Sequence, residues 1–418
     1  FGFFPAFSLG WRISNESFME NTKEWLNNLK LRASYGQVGN DVYTVGGVAQ
    51  RFLYEEKWSQ ISNDYMFGTS GKSGIYETQY PNYGVTWERA HKYNVGLEFG
   101  LWNGLLNGNI DLFHEKRNDI LTNYLTRPEW VGVTMAAGNL GETVNSGFEI
   151  ELKHNNHIGK EFQYNVGLTF SHAKNEIKNM DEPALKTDYR KREGHPIGQY
   201  YGLVCDGFVT AADVADPNFP TSTFGNVQVG DLKYRDMNND GFIDERDETF
   251  IGYSDVPENT YALTLGCNYK GIGFSVMFQG VDHVSRYYDA EAMYAFVSGG
   301  KVKEHHLDRW NPTKSESENL ASAKYPLLHY DSYGDHNQRQ NSFFLKNGAF
   351  MRLKNIELSY TLPTKWIEKV GMSDCRLYVN GNNLITWDHL DDLCDPESNG
   401  SNRYPIMKTV NFGVNIKF

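Results

Sequence analysis

The sequence predicts an all-β fold, a transmembrane antiparallel β-barrel with long extracellular loops, on three observations. Several segments of about ten residues alternate apolar and polar side chains, which is the length and pattern of a tilted strand that crosses a membrane. Short turns and long loops alternate along the chain, as in a barrel with two unlike ends. Aromatic residues make up 14% of the 418 residues, and glycine occurs 40 times, which is typical of strands joined by tight turns.

The segment 409–418 alternates without a break. Val410, Phe412, Val414, Ile416 and Phe418 fall on one face of an extended strand, and polar residues fall on the other. Side chains alternate faces along a strand, so one side of this segment is wholly apolar. Taken alone, the segment leaves two interpretations open: a closing strand of an outer-membrane barrel, or an edge or closing strand of a soluble sandwich.

A β-hairpin with a short turn is predicted between residues 93 and 112. Alternating apolar residues run from Tyr93 to Leu101 and again from Leu106 to Leu112. Asn103 and Gly104 lie between them and favour the positive backbone angles of a hairpin turn. The same alternation recurs in the segments 29–37, 148–152, 164–170, 261–267, 272–278, 356–362 and 377–379. In all, about a dozen strands are expected.

The lengths of the connections favour the barrel over the sandwich. Short turns are predicted at 102–105, 155–160 and 270–271, and long loops at 38–86, 114–141, 171–197 and 280–341. A sandwich has no reason for this bias, whereas outer-membrane barrels have short periplasmic turns and long external loops.

Charge and cysteine usage exclude several classes of function. The net charge of −12 argues against a nucleic-acid partner, because phosphates require a basic footprint. No run of about 18 apolar residues is present, so no transmembrane helix is expected. Cys205, Cys267, Cys375 and Cys394 are widely spaced, which predicts isolated thiols or at most one disulfide.

Residues 236–247 have the spacing of a twelve-residue calcium loop, within an insertion at 232–252. The predicted ligands are the side-chain oxygens of Asp236, Asn238 and Asp240, the backbone carbonyl of Phe242, Asp244 through water, and Asp247 at the twelfth position. Gly241 allows the sharp turn of such a loop. The flanking residues read as extended rather than helical, so a structural Ca²⁺ clip is expected rather than a calcium sensor. The alternative is a solvated acidic turn.

No pattern of catalytic residues is found in the sequence. His305 and His306 lie in a predicted short helix at 301–310 and would point in different directions, so we expect surface or packed histidines rather than metal ligands. Aromatic residues in the predicted loops suit sugar stacking, a partner protein, or packing between loops at the membrane surface; they are Tyr54, Trp58, Tyr65, Tyr76, Tyr80, Tyr83, Tyr287, Tyr288 and Tyr294.

Several segments, in order over most of the chain, resemble one family, the SusC-type (SusC/RagA) TonB-dependent outer-membrane transporters of Gram-negative bacteria. The segments are 87–98, 145–152, 198–202, 230–252, 309–310, 325–326, 350–363, 380–384, 395–397 and the terminal strand. The resemblance implies a 22-stranded barrel with an N-terminal plug. This chain shows neither plug, TonB box nor early strands, so residues 1–418 are expected to be the C-terminal half of that barrel.

The resemblance also implies the function and the partners. The family imports glycans or peptides, draws energy from the TonB complex of the inner membrane, and works with a SusD-like surface lipoprotein as a lid. Phe418 matches the terminal signal that the barrel-assembly machinery reads in such proteins. Our first hypothesis is therefore an active nutrient importer and not an enzyme. The alternatives are a passive porin or adhesin barrel, and a secreted calcium-binding β-sandwich module.

Overall fold

The largest element of the structure is an antiparallel sheet whose strands follow one another in sequence order. The computed structural model describes residues 2–126, 129–183, 187–288, 293–297, 301–330, 336–390, 394–398, 404 and 406–418. Within them the sheet has 11 strands, each hydrogen-bonded to the next along the chain. The strands are β1 Ala6–Arg12, β2 Leu26–Asn40, β3 Glu88–Leu101, β4 Leu106–Thr122, β5 Gly138–Ile158, β6 Phe162–Asn179, β7 Asn259–Tyr269, β8 Ile272–Asp282, β9 Phe350–Thr361, β10 Asp374–Asp388 and β11 Thr409–Lys417.

The predicted short turns connect strands at one end of this sheet. Trp102, Asn103 and Gly104 all have positive φ between β3 and β4, and Lys270 and Gly271 do so between β7 and β8. The predicted hairpin is therefore confirmed. The turn expected at 155–160 is shorter than predicted, because β5 continues to Ile158 and β6 begins at Phe162.

The long connections contain structure that the alternation pattern does not reveal. The connection between β2 and β3 contains the strands Tyr43–Val45, Val48–Gln50, Lys57–Phe67 and Ser70–Tyr80. The connection between β4 and β5 contains the strand Thr134–Met135. The remaining short strands are Gln199–Gly202, Cys205–Phe208, Thr221–Ser222, Leu232–Tyr234, Phe242–Ile243, Thr249–Ser254, Ser285–Tyr287 and Leu345–Asn347.

Helices are short. The α-helices are Ala211–Ala215, Glu316–Ser322 and Thr364–Ile367. The 3-10 helices are Ile13–Asn15, Ser17–Thr22, Trp102–Gly104, Glu129–Val131, Asp188–Arg190, Glu245–Asp247, Glu304–Asp308, His336–Gln338 and Glu368–Val370. Among the described residues no helix is both long and apolar enough to span a membrane.

The chain forms two compact units. The first comprises Phe1–Leu152 and Ser171–Ile197, and the second comprises Lys153–Phe170 and Gly198–Phe418. The second unit contains the larger apolar core, which lies in the connections between its strands and not between sheet faces. Its fully buried members include Leu203, Leu232 and Leu390.

The turn at Gly271 offers a test of the hairpin geometry. Gly271 has φ +87°, and a Cβ atom there would lie 2.7 Å from the carbonyl oxygen of Thr361. We expect Gly271→Ala to lower the free energy of unfolding by more than the roughly 1–2 kcal/mol that a left-handed non-glycine residue costs. Gly159→Ala is the control, because Gly159 has φ +64° and open space around it. Urea unfolding in micelles measures both, and equal losses would contradict the close approach at Gly271.

Candidate functional site

One face of the sheet in the first unit is apolar and open to its surroundings. Pairing places Ala33, Val95 and Leu112 in one row across β2, β3 and β4. Val95 is 48% exposed and Leu112 is 56% exposed. A contiguous exposed apolar surface is unfavourable in water and favourable against lipid. This apolar face of the first unit is therefore a lipid-contacting surface.

The second unit has an apolar face of the same kind. Leu358, Val379 and Phe412 form one row across β9, β10 and β11, and Phe412 is 83% exposed. Toward the long connections, Phe278 lies near Trp387 with ring centroids 6.4 Å apart. Aromatic rings at the edge of an apolar band are typical of the membrane–water interface.

The opposite face of the first unit carries a network of charges that sequence reasoning did not identify. Arg32 on β2 contacts Glu98 on β3 at 2.8 Å and Asp111 on β4 at 3.0 Å. Lys30 adds a 3.3 Å contact to Glu98. The alternating pattern predicts a polar face but not which residues pair, because pairing depends on the register between strands. These charges make the polar face hydrated and mixed in sign.

A second charged network lies further along the same face. Arg117 of β4 contacts Glu88 of β3 at 2.8 Å and also Glu115 at 2.8 Å. Lys92 contacts Glu115 at 3.2 Å. In the second unit, Arg376 of β10 pairs with Glu357 of β9. Each unit therefore presents one apolar and one polar, charged face.

A buried ion pair connects a long loop of the second unit to β9. Arg352 is 1% exposed, and its guanidinium contacts Asp395 at 2.7 Å and Glu397 at 2.7 Å. Lys354 also contacts Glu397, at 3.1 Å. Both segments carry the family resemblance, but nothing in the sequence indicates that they meet. Arg352 therefore holds the segment around residues 395–397 against the sheet.

The acidic loop Asp236–Asp247 folds as a tight turn between two extended segments, as expected from the sequence. Gly241 N donates to Asp236 Oδ2 at 2.8 Å, and Phe242 N donates to Asp240 Oδ1 at 3.0 Å. Asn238 Oδ1 accepts from Asp240 N at 2.9 Å. The flanking strands are Leu232–Tyr234 and Thr249–Ser254, so no helix pair surrounds the loop.

The last predicted ligand holds the loop closed. Asp247 is fully buried, and its two carboxylate oxygens accept backbone N–H groups of Met237 and Asp244, each at 2.9 Å. Ile243 packs into the apolar core of the second unit. The loop is therefore part of the folded body of this unit.

Charge in the acidic loop is partly balanced by Arg246. Its Nη2 atom contacts Asp244 at 2.6 Å and Asp240 at 2.8 Å. The hydrogen bond to Asp244 and the nearby charge of Asp240 raise the pKa of Arg246. The carboxylates of this loop thus already converge on a cation.

The donor set agrees in type with calcium, which prefers oxygen ligands. In the described part of the chain, no group of three or more His, Cys, Asp or Glu side chains is arranged to hold a metal ion. A calcium loop also uses an amide oxygen and a backbone carbonyl, here those of Asn238 and Phe242. The calcium site therefore stays a prediction.

Several smaller expectations are also resolved. The short helix expected at 301–310 is the 3-10 helix Glu304–Asp308. His306 is buried within it, its Nε2 lies 2.9 Å from the carbonyl oxygen of Met293, and burial lowers its pKa. His306 is therefore a packed histidine, which agrees with the expectation of surface or packed histidines rather than metal ligands. The four cysteines are all free thiols.

The loop aromatics do not behave as one group. Tyr83 and Trp58 are exposed, whereas Tyr288 and Tyr294 are buried in the core of the second unit. Tyr288 donates to the Leu390 carbonyl at 2.7 Å, so packing explains this pair. The Tyr65 side chain lies outside what the structure describes.

Comparisons with known proteins agree with this geometry. The family described as "TonB dependent receptor-like, beta-barrel" matches residues 1–384. TonB-dependent receptor P26 of Formosa agariphila is 26% identical over 447 residues, which is 100% of this chain and 42% of that protein. TonB-dependent receptor SusC of Bacteroides thetaiotaomicron is 26% identical over 437 residues, 100% of this chain and 40% of that protein.

Solved structures show the same fold. The RagAB peptide importer in its open-open state aligns with a TM-score of 0.71 at 22% identity, over 99% of this chain and 42% of that chain. The RagAB peptide transporter aligns with a TM-score of 0.69 at 21% identity, over 99% of this chain and 43% of that chain. The chain thus spans about two-fifths of the curated relatives it matches.

An exposed apolar face opposite a charged one is the arrangement expected of strands in a membrane β-barrel, which contact lipid on one side and water on the other. The family match makes the assignment specific: this chain belongs to the TonB-dependent receptor-like β-barrel family. The expected barrel fold and outer-membrane location are therefore confirmed, and a secreted β-sandwich module is excluded. The assignment of residues 1–418 to the C-terminal portion of the barrel, with an insertion at 232–252, stays a prediction.

Proposed function

We propose that this chain is the C-terminal part of the barrel of an active nutrient importer that takes up glycans or peptides. The observation that carries the proposal is the charged face of the first unit, where Arg32 joins Glu98 and Asp111 across three strands. Such a face suits a hydrated path for polar solutes, while the apolar face contacts lipid. Transport of this kind requires no catalysis by the chain.

The partners in this proposal are those of the family. A SusD-like lipoprotein would act as a lid over the long loops, and a plug in the rest of the protein would connect the barrel to the TonB complex. The family match and the similarity to SusC and RagAB support this arrangement. The long connections of each unit would offer surface to such a lid.

An uptake experiment tests the proposal. Cells lacking the full-length gene should lose uptake of labelled oligosaccharides or of labelled peptides, and the gene should restore it. Restored uptake should stop when the TonB box is deleted or when an uncoupler removes the proton gradient. Uptake that continues under both treatments would contradict active import and would favour a passive porin.

We also propose that the acidic loop binds a structural Ca²⁺ ion through Asp236, Asn238, Asp240, Phe242, Asp244 and Asp247. The spacing of the oxygen groups and the buried Asp247 support it. A chelator should destabilise the wild type, by about 2.7 kcal/mol when free calcium stands about 100-fold above Kd. Asp236→Ala with Asp240→Ala should abolish this chelator effect. Glu245→Gln is the control at a non-ligand position, and it should retain the effect.

Thermal unfolding with and without chelator gives the readout. Identical melting of the wild type in both conditions would contradict a structural ion. A chelator effect that persists in the Asp236→Ala, Asp240→Ala variant would place the ion elsewhere.

Phe418 is proposed as the signal for barrel assembly. Its side chain is 89% exposed at the end of β11, so it is accessible to another protein. Phe418→Ala should reduce the amount of barrel in the outer membrane, measured as heat-modifiable protein in the membrane fraction. Lys417→Ala is the neighbouring control. Equal yields of the two variants would contradict the proposal.

A further inference from the structure

The apolar face of the first unit changes character toward the long connections. The row Ala33, Val95 and Leu112 is followed by the row Tyr35, Tyr93 and His114. The rings of Tyr35 and Tyr93 lie 5.0 Å apart. Tyrosine rings of this kind mark the level of lipid headgroups. The outer boundary of the hydrocarbon layer therefore lies at this second row.

Basic and polar side chains continue the same face beyond that boundary. The next rows place His91 opposite Lys116, and Arg89 opposite Asn118. We call Arg89, His91, His114, Lys116 and Asn118 the rim patch. Arg89 lies four residues from Tyr93, about 13 Å along the strand, so the patch lies at the depth of headgroups rather than of acyl chains.

The rim patch is an open recess with donor groups arranged around it. Tyr93 and four patch residues, His91, His114, Lys116 and Asn118, line a cavity of about 510 Å³. The ring nitrogen Nδ1 of His91 lies 3.0 Å from Tyr35 Oη, and that of His114 lies 2.7 Å from Ser146 Oγ. These contacts fix the orientation of both rings.

Cations outnumber anions in the rim patch. Lys116 pairs with Glu142 at 2.9 Å, so its charge is partly balanced. Arg89 is exposed and makes no ion pair with the described residues. The side-chain oxygen of Asn118 is buried and has no hydrogen-bond partner in the described chain. A ligand with both anionic oxygens and hydroxyl groups would satisfy these groups.

We propose that the rim patch binds the phosphorylated sugar headgroup of a lipid in the outer leaflet. Phosphate oxygens would accept hydrogen bonds from Arg89 and Lys116, and sugar hydroxyls would donate to Asn118. A lipid fits better than a free phosphate, because the patch continues the lipid-contacting face directly beyond its tyrosine row. The acyl chains of such a lipid would lie along Val95 and Leu112.

Binding of purified lipid A to the full-length protein in detergent tests the proposal. Arg89→Gln with Lys116→Gln should weaken binding about 30-fold, since each basic residue near an anionic lipid contributes about a fivefold factor. Arg89→Gln alone leaves the Lys116–Glu142 pair intact and should weaken binding about fivefold. Lys365→Gln, at an exposed position in the short helix Thr364–Ile367 between β9 and β10, is the charge-matched control and should bind as the wild type does.

Two further arms distinguish the source of the phosphate. Dephosphorylated lipid A should bind as weakly to the wild type as lipid A binds to the double variant. Inorganic phosphate in large excess should not displace lipid A. Equal binding by wild type and Arg89→Gln, equal binding of the dephosphorylated lipid, or displacement by inorganic phosphate would each overturn the proposal. Heat-modifiable mobility confirms that each variant is folded.

Discussion

Arg352→Met should destabilise the second unit by about 3–5 kcal/mol, because removing one partner of a buried ion pair leaves an uncompensated charge. Arg352 is 1% exposed and contacts both Asp395 and Glu397. Without the guanidinium, the two carboxylates would repel each other, and the segment 394–398 would detach from β9. The variant should therefore unfold at lower temperature and be cleaved by protease in this segment.

Two variants separate the lost ion pair from a general effect of substitution. Lys354→Met removes a more exposed partner of Glu397 and should lower stability by about 1 kcal/mol or less. Combining Arg352→Met with Asp395→Asn and Glu397→Gln removes the unpaired charges and should restore part of the loss. Protease resistance of Arg352→Met equal to that of the wild type would show that Arg352 does not hold the loop.

Leu97→Arg should lower barrel stability by about 2–4 kcal/mol, the cost of an arginine facing lipid near the middle of the bilayer. Leu97 pairs with Leu31 and with Ile110 on the apolar face. It lies four residues from Tyr93 and four from Leu101, near the middle of the apolar band. The expected result is reduced assembly into the membrane and a lower urea midpoint.

Controls for this variant use the same site and the opposite face. Leu97→Phe keeps the site apolar and should be tolerated. Asn94→Arg places the same charge on the polar face, where it meets water, and should assemble normally. If Leu97→Arg and Asn94→Arg assemble equally well, the assignment of the two faces is wrong.

The sequence predicts the fold well where one face of a strand is apolar. The alternation in 409–418 is the strand β11, Thr409–Lys417, and Asn103 with Gly104 marks the observed turn between β3 and β4. In these segments one face meets lipid, so the apolar pattern and the backbone pairing extend over the same residues.

Strand ends and long-range contacts are not predicted. β4 continues to Thr122 and β6 to Asn179, although the residues at both ends lack a regular apolar–polar alternation. Backbone pairing with neighbouring strands sustains them there, and it leaves no trace in the hydrophobic pattern. The contact between Arg352 and Asp395 joins positions 43 residues apart, so only the fold brings them together.

The structure of the acidic loop could be predicted from the sequence only in part. Its turn at Gly241 and its extended flanks are as the spacing predicts. The burial of Asp247 and the contact of Arg246 with Asp240 depend on side-chain packing, which the spacing does not determine.

Chemical labelling from water and quenching from lipid test the central claim. The claim is that each strand of the sheet has one face toward lipid and the other toward a hydrated path. In a variant without the four native cysteines, single cysteines replace Leu97 or Asn94 in the full-length protein. The account predicts that a water-soluble maleimide labels Asn94→Cys but not Leu97→Cys in membranes. A lipid-dissolved quencher should affect a fluorophore attached at Leu97→Cys and spare one at Asn94→Cys. The reverse pattern, or equal labelling of both positions by the water-soluble reagent, would contradict the account.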